Sequence, residues 1–218
     1  MRFFKALVTC CALAVSACGA GSGDGVPPSA EEHAAAIEQR LQEYTGTASY
    51  SYAAPEGWLE ETYAAPQPWA PSFPWSGTET VHFPPGWPDA QSPEWWSYDY
   101  AIWVDSGPKF TADALASAFK DYYEGLVGCG TFLPCDPSRF VANMRRVARV
   151  GSTEVFEGSV DSYDFSPTPV PITLHMLIVG VTCPKSKHRA LLVSASPKPI
   201  GNAVWAELLD AQLNFRCR

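Results

Sequence analysis

Seven of the eight tryptophans in this chain lie between Trp58 and Trp103, threaded through Pro66, Pro68, Pro71, Pro74, Pro84, Pro85, Pro88 and Pro93. Proline has no amide hydrogen and a locked φ, so this density forbids a helix and argues against a central strand. The stretch is expected to run as an extended, irregular arm, and the sheet and helices must come from what flanks it. Trp58, Trp69, Trp75, Trp87 and Trp95 fall off any clear core stripe and form the candidate ligand surface, since indole faces suit sugar rings or apolar partners. The opposing expectation is that these indoles only seal the sheet. A carbohydrate partner would stack on a flat row of indoles beside carboxyl or amide groups, whereas a protein partner would need a broader apolar patch with a polar rim.

The N-terminus sets the compartment. Arg2 and Lys5 open an apolar run over residues 3–17, too short for the roughly 20 residues that span a bilayer and arranged as an export signal is. Val15-Ser16-Ala17-Cys18 resembles a bacterial lipobox, which implies a thioether-linked lipid on Cys18 and cleavage before it. Residues 1–17 are then a lipoprotein signal peptide. Residues 18–28, opening on the Gly/Ser-rich run from Gly19 to Gly25, form a flexible tether, and residues 29–218 form one α+β domain. The expected partner is the membrane itself, through the lipid at Cys18. Gly rather than Asp after that cysteine favours the outer membrane facing the periplasm over the inner membrane.

Loss of Arg2 and Lys5 takes the formal charge from −8 to −10. The imbalance is local, with thirteen carboxylates against Arg40 alone in residues 18–108 and ten against twelve Lys and Arg in residues 109–218. Nucleic acid is excluded as a partner, because phosphate binding needs a concentrated basic surface that only the loop from Lys185 to Arg189 approaches, and that loop reads as a hairpin tip. Cys129, Cys135, Cys183 and Cys217 remain in the mature chain, and in an oxidising compartment four cysteines mean two disulfides. The short Gly- and Pro-containing loop between Cys129 and Cys135 favours pairing those two, which leaves Cys183 with Cys217. A zinc site made from all four lacks the paired C-x2-C spacing.

Ser29-Ala30-Glu31-Glu32 is a capping box, followed by Ala34, Ile37, Leu41 and Tyr44 at helical spacing. Ser49 to Tyr52 reads as a short strand. From Trp95 to Asp105 the chain alternates, with Trp96, Tyr98, Tyr100, Ile102 and Val104 on one face. Thr111 caps a helix with Leu115, Phe119, Tyr122 and Leu126 on one stripe, and Asp136-Pro137 is expected to open a short third helix through Met144. One strand is expected from Arg146 through Phe156 toward Tyr163, a second from Ile172 to Cys183, apolar on both faces and therefore central, and a third from Ala190 to Ser196. Asn202 caps a last helix with Val204, Leu208, Ala211 and Phe215 inward. Strands in sequence without helices between them predict an α+β fold, a mainly antiparallel sheet flanked by helices.

The runs Ala70-Pro71-Ser72-Phe73-Pro74, Gly77-Thr78-Glu79-Thr80-Val81-His82-Phe83-Pro84-Pro85-Gly86-Trp87, Trp96-Ser97-Tyr98 and Tyr122-Tyr123-Glu124-Gly125-Leu126 resemble the signature of an uncharacterised family of exported bacterial proteins. The resemblance covers residues 70–126. It implies export and an α+β fold, and brings no catalytic residue.

The residue chemistry points the same way. There is no G-x-S-x-G elbow, and Asp99 and Asp105 stand about 20 Å apart along one strand, too far to act as a glycosidase pair. No H-x-H, H-E-x-x-H or D-x-D-x-D spacing occurs, so neither a metal nor a cofactor is expected. His175, within the most apolar strand, reads as a core histidine. The chain is expected to be a lipid-anchored envelope protein that binds or scaffolds rather than catalyses. The alternative is a small envelope hydrolase whose site assembles only in three dimensions, with His82 meeting Asp99 or Glu94.

Overall fold

The alternation between Trp95 and Asp105 becomes β4, Tyr98–Ser106, and its two faces divide the molecule. Tyr98, Tyr100, Ile102 and Val104 enter one buried apolar cluster, and Ala101 enters another on the opposite face. In this computed structural model the described residues are 27–218 except 130, 132 and 167. Cys18, the signal peptide and the tether up to residue 26 lie outside them.

Seven strands form one sheet: β2 (Leu59–Ala65), β3 (Ser76–Phe83), β4, β5 (Ala142–Val150), β6 (Thr153–Tyr163), β7 (Pro171–Thr182) and β8 (Arg189–Ser196), in the spatial order β2-β3-β4-β8-β7-β6-β5. Every neighbouring pair is antiparallel. A separate two-stranded ribbon joins β1 (Tyr50–Ser51) to β9 (Arg216–Cys217). Helix α2 (Ala112–Val127) buries Leu115, Phe119, Tyr122 and Tyr123 in the first cluster. Helices α1 (Ala30–Glu43) and α3 (Val204–Gln212) bury Ile37, Leu41, Trp205 and Leu208 in the second. The fold is thus α+β, an antiparallel sheet with helices on both faces.

Three details depart from the reading of the sequence. The Pro/Trp-rich arm is extended, yet β2 and β3 arise within it and β3 is paired on both sides. The prolines sit in the connections before and after β3 and leave its eight residues free to donate to both neighbours. Asp136-Pro137 opens only the single 3-10 turn Pro137–Arg139. Residues from Ala142 onward pair with β6 instead, because a nine-residue strand satisfies more backbone groups than one further helical turn. The strand expected from Arg146 to Tyr163 is a hairpin, turned at Gly151 with φ +57°, a conformation that glycine adopts without steric strain.

Cys129 is joined to Cys135 at the end of α2, with Cα atoms 5.2 Å apart, and Cys183 is joined to Cys217 at 5.5 Å. The second bond ties the end of β7 to β9 across 34 residues, the first across 6. Loop-closure entropy makes the long bond worth roughly 3–4 kcal/mol and the short one about 2. Replacing Cys183 and Cys217 together by Ser should therefore lower the urea-unfolding free energy by more than the Cys129/Cys135 double substitution does. Equal losses, or cross-linked peptides in any other pairing under non-reducing mapping, would contradict this arrangement.

Candidate functional site

Alternation along β3 turns Glu79, Val81 and Phe83 toward α2 and sends Thr80 and His82 to the other face. A glutamate therefore shares a strand face with a valine and a phenylalanine. Tyr63 of β2 lies directly across from it in register. The α2 stripe brings Tyr122 over the strand, and its hydroxyl donates to Glu79 Oε1 at 2.9 Å. The Gln67 amide donates to the other carboxylate oxygen. Glu79 has no solvent-exposed surface. Burial pushes its pKa up to about 7, against the opposing pull of the Tyr122 hydrogen bond.

Above this carboxyl lies a cavity of about 100 Å³. Tyr63 and Trp69 wall one side, Phe83, Trp87 and Trp96 another, and Tyr98, Tyr122 and Leu126 the rest, with Phe165 from the β6–β7 connection at the mouth. Trp87, Trp96 and Phe165 also border an outer chamber of about 320 Å³ that includes Trp95, Asp164 and Ser166. The two chambers, together the cleft, adjoin across the shared walls of Trp87, Trp96 and Phe165. Its rings meet at angles: Trp69 stands at 80° to Tyr63 and 76° to Tyr122, and Trp87 is tilted 34° to Phe83. They form a box, not a platform. Two donors on this side of the sheet, the Trp69 indole N–H and the Tyr100 hydroxyl, are buried without a partner, whereas Tyr98 donates to Tyr123 at 2.8 Å.

Two backbone features hold the walls. A Cβ on Gly125 of α2 would fall 1.8 Å from the Trp69 carbonyl oxygen, so only glycine lets the β2–β3 connection lie against the helix there. Trp96 has φ +54°, rare for a bulky residue, and its N–H donates to the Trp87 carbonyl at 3.0 Å. Strain of this kind, of order 1–3 kcal/mol, concentrates at ligand clamps.

The five tryptophans singled out in the sequence separate. Trp69, Trp87 and Trp95 are half-buried around the cleft. Trp75 is a correction: it is fully buried, packed against Phe73 and Phe110, with its N–H donated to the Pro108 carbonyl at 2.9 Å. Trp58 is half-buried as well but lies apart from the cleft, packed against the cluster on the opposite face. The sequence pattern does not single out Glu79, Tyr63 or Phe165 as site residues, and it places Tyr122 only on the core stripe of its helix. For Glu79 the signal was present, a carboxylate in phase with Val81 and Phe83.

His82 and Asp99 lie opposite one another in register on β3 and β4, but no hydrogen bond joins them: His82 Nδ1 and Asp99 Oδ1 are buried without a partner. Ser194 donates to Asp99 Oδ2 at 2.8 Å, Gln212 donates to Ser194 at 2.8 Å and meets His33 at 2.8 Å, and His82 lies 3.2 Å from Glu60. Asp99, Ser194, His82 and Gln212 have no exposed surface. The serine bonds the carboxyl rather than the imidazole, which reverses the order that nucleophile activation requires. Glu94 is engaged elsewhere, accepting the Gly86 N–H at 2.6 Å. This second group forms a polar seam in the core.

Because the pKa of Glu79 is higher folded than unfolded, the folded state binds the extra proton, and stability falls as pH rises from about 4.5 to 7. The shift corresponds to about 3 kcal/mol. Glu79→Gln should leave urea-unfolding free energy nearly unchanged at pH 5 and raise it by roughly 2–3 kcal/mol at pH 8. A difference of the same size at both values would show that the carboxyl is not buried in this way.

No family model, no curated protein and no solved structure matches this chain, so the reading of the cleft rests on its own chemistry.

Proposed function

We propose that this protein is a lipid-anchored envelope protein that holds a compact ligand in the aromatic cleft above Glu79. The observation that carries the reading is the cleft itself: an aromatic box with half-buried Trp69 and Trp87 in its walls and one buried carboxyl at its end. Apolar walls with few, placed polar groups are the usual composition of a ligand pocket. The mutual tilt of the rings favours a ligand enclosed among them over a sugar polymer lying on a flat row. It equally disfavours a protein partner, which would need a broad open patch. The two disulfides are consistent with export, and the lipobox sequence at Cys18 supports anchoring, with the outer membrane facing the periplasm as the favoured location.

Titrating the mature protein with a panel of small amines, sugars and aromatic compounds should give a saturable shift in tryptophan emission for at least one of them. Trp87→Ala should weaken that response at least tenfold, and Trp58→Ala, on the opposite face, should leave it intact. The cleft reading fails if no compound in the panel responds, or if the response survives Trp87→Ala in a variant whose melting temperature shows it folded. The anchor is tested separately: Cys18→Ser should move the protein from the membrane to the soluble fraction, and retention in the membrane would refute lipidation there.

A further inference from the structure

The identity of the ligand follows from what Glu79 lacks. Carboxylates are almost never fully buried unless paired. Among the described residues no Lys, Arg or His comes within 4.0 Å of this one. Its hydrogen bonds to Tyr122 and Gln67 supply donors and no charge. The deficit extends to the surroundings, because between Arg40 and Lys109 the sequence holds no Lys or Arg at all. On α2 the nearby Lys120 is engaged with Glu124 at 2.7 Å. Glu79 is thus a buried carboxyl with hydrogen-bond donors and, among the described residues, no counter-charge.

The walls suit one class of cation. Faces of Trp and Tyr attract positive charge through the ring quadrupole, most strongly where water is excluded. A primary ammonium brings three donors and a tightly held hydration shell, which a cavity lined almost wholly by aromatic and aliphatic carbon replaces poorly. An ammonium whose hydrogens are replaced by methyl groups needs ring contacts instead, and a chamber of about 100 Å³ admits a group of that size. The outer chamber, with Asp164 and Ser166 on its wall, leaves room for the rest of such a molecule.

We propose that the inner chamber recognises a quaternary or methylated ammonium group, with Glu79 as its counter-charge and the rings of Tyr63, Trp69 and Tyr122 as its walls. This deepens the cleft reading and rests on it. Binding requires the ionised carboxylate and therefore displaces the proton that burial retains on Glu79 near neutral pH. The titratable groups facing it are Tyr63 of β2, Tyr98 and Tyr100 of β4, and Tyr122 and Tyr123 of α2, all phenols held above their ordinary range. Glu61, on the same face of β2 as Tyr63 and opposite Val81 in register, accepts from the Tyr63 hydroxyl, and Asp164 lies out at the second chamber. Between pH 5.5 and 8 Glu79 is thus the group in the inner chamber that changes charge, and affinity for a cation should rise as pH increases.

The test compares choline with 3,3-dimethyl-1-butanol, which has the same shape with carbon in place of nitrogen, by calorimetry and tryptophan emission on the mature protein. At pH 8 choline should bind at least tenfold more tightly than the alcohol. At pH 5.5 its affinity should fall about 30-fold while that of the alcohol stays constant, as expected for displacement of a proton with a pKa near 7. Glu79→Gln should abolish both the preference and the pH dependence, and its melting temperature confirms that it folds. Equal affinities at pH 8, choline binding that does not change with pH, an unchanged preference in Glu79→Gln, or no binding of either compound would each overturn the inference. Binding of the alcohol alone would remove the cation and leave the cleft reading standing. That reading falls only with the wider panel and Trp87→Ala.

Discussion

β7 sends Leu174, Met176 and Ile178 to one face of the sheet and Leu177, Val179 and Val181 to the other, and all six are buried. Each contributes about 1.5–3 kcal/mol relative to exposure, so neither face of this strand can be left to water. Covering layers are obligatory, and the two sides solve the problem differently. On one side α1 packs against β5 and β6 while α3 packs against β4 and β8. On the other side α2 lies against β5 and β6. The region over β2, β3 and β4 falls largely to the two proline-rich connections.

That division explains where the cleft lies. A helix fills a sheet face with side chains at regular spacing, whereas a proline-rich connection has no period and must cover the surface with whatever bulk it carries. Aromatic rings are efficient for this, at 150–250 Å² apiece, but they are rigid, and rigid plates meeting at 76° and 80° do not close a surface without a gap. Trp69 reaches its place because Gly125 offers no side chain to the loop. Trp96 reaches its place through a left-handed backbone that the Trp87 carbonyl helps to hold.

Much of this architecture is legible in the sequence, and the failures share a cause. The capping box at Ser29, the Thr111 cap and the period-two run into β4 report their elements because local chemistry and tertiary burial agree there. The helix expected after Asp136 was stopped by a pairing partner that is distant in sequence, since Ala142 lies opposite Val160. The proline count of the arm hid β3 because a count over 46 residues does not register an eight-residue window between two proline clusters. For the site, Trp69, Trp87 and Trp95 could be named from their segment. Trp75 could not be separated from them, because what seals it is the Pro108 carbonyl and the Phe110 ring, 33 and 35 positions away. Tyr122 was read as core stripe, which it is; that its hydroxyl ends on Glu79 depends on the placement of a helix over a strand 43 residues earlier.

Two carboxyls are buried on adjacent strands, Glu79 on β3 and Asp99 on β4, and they face opposite sides of the sheet. Burial raises the pKa of both. Asp99 belongs to a chain of hydrogen-bonded side chains, Ser194, Gln212 and His33, roofed by α1 and α3, and neither chamber of the cleft adjoins it. Glu79 has the same electrostatic problem with a different boundary: it has no accessible surface and both its oxygens accept hydrogen bonds, yet it lies in the wall of a cavity that Trp87, Trp96 and Phe165 also line. A buried acid with no cavity beside it has its pKa raised with nothing but its own hydrogen bonds to offset the rise. A buried acid at the end of a cavity can instead exchange that proton for a ligand, and the energy that burial withholds from the carboxylate becomes the differential affinity for whatever neutralises it. The rings that leave the gap and the carboxyl that has hydrogen-bond donors but no counter-charge lie together on one face of the sheet, which sets the cleft apart from the polar seam behind it.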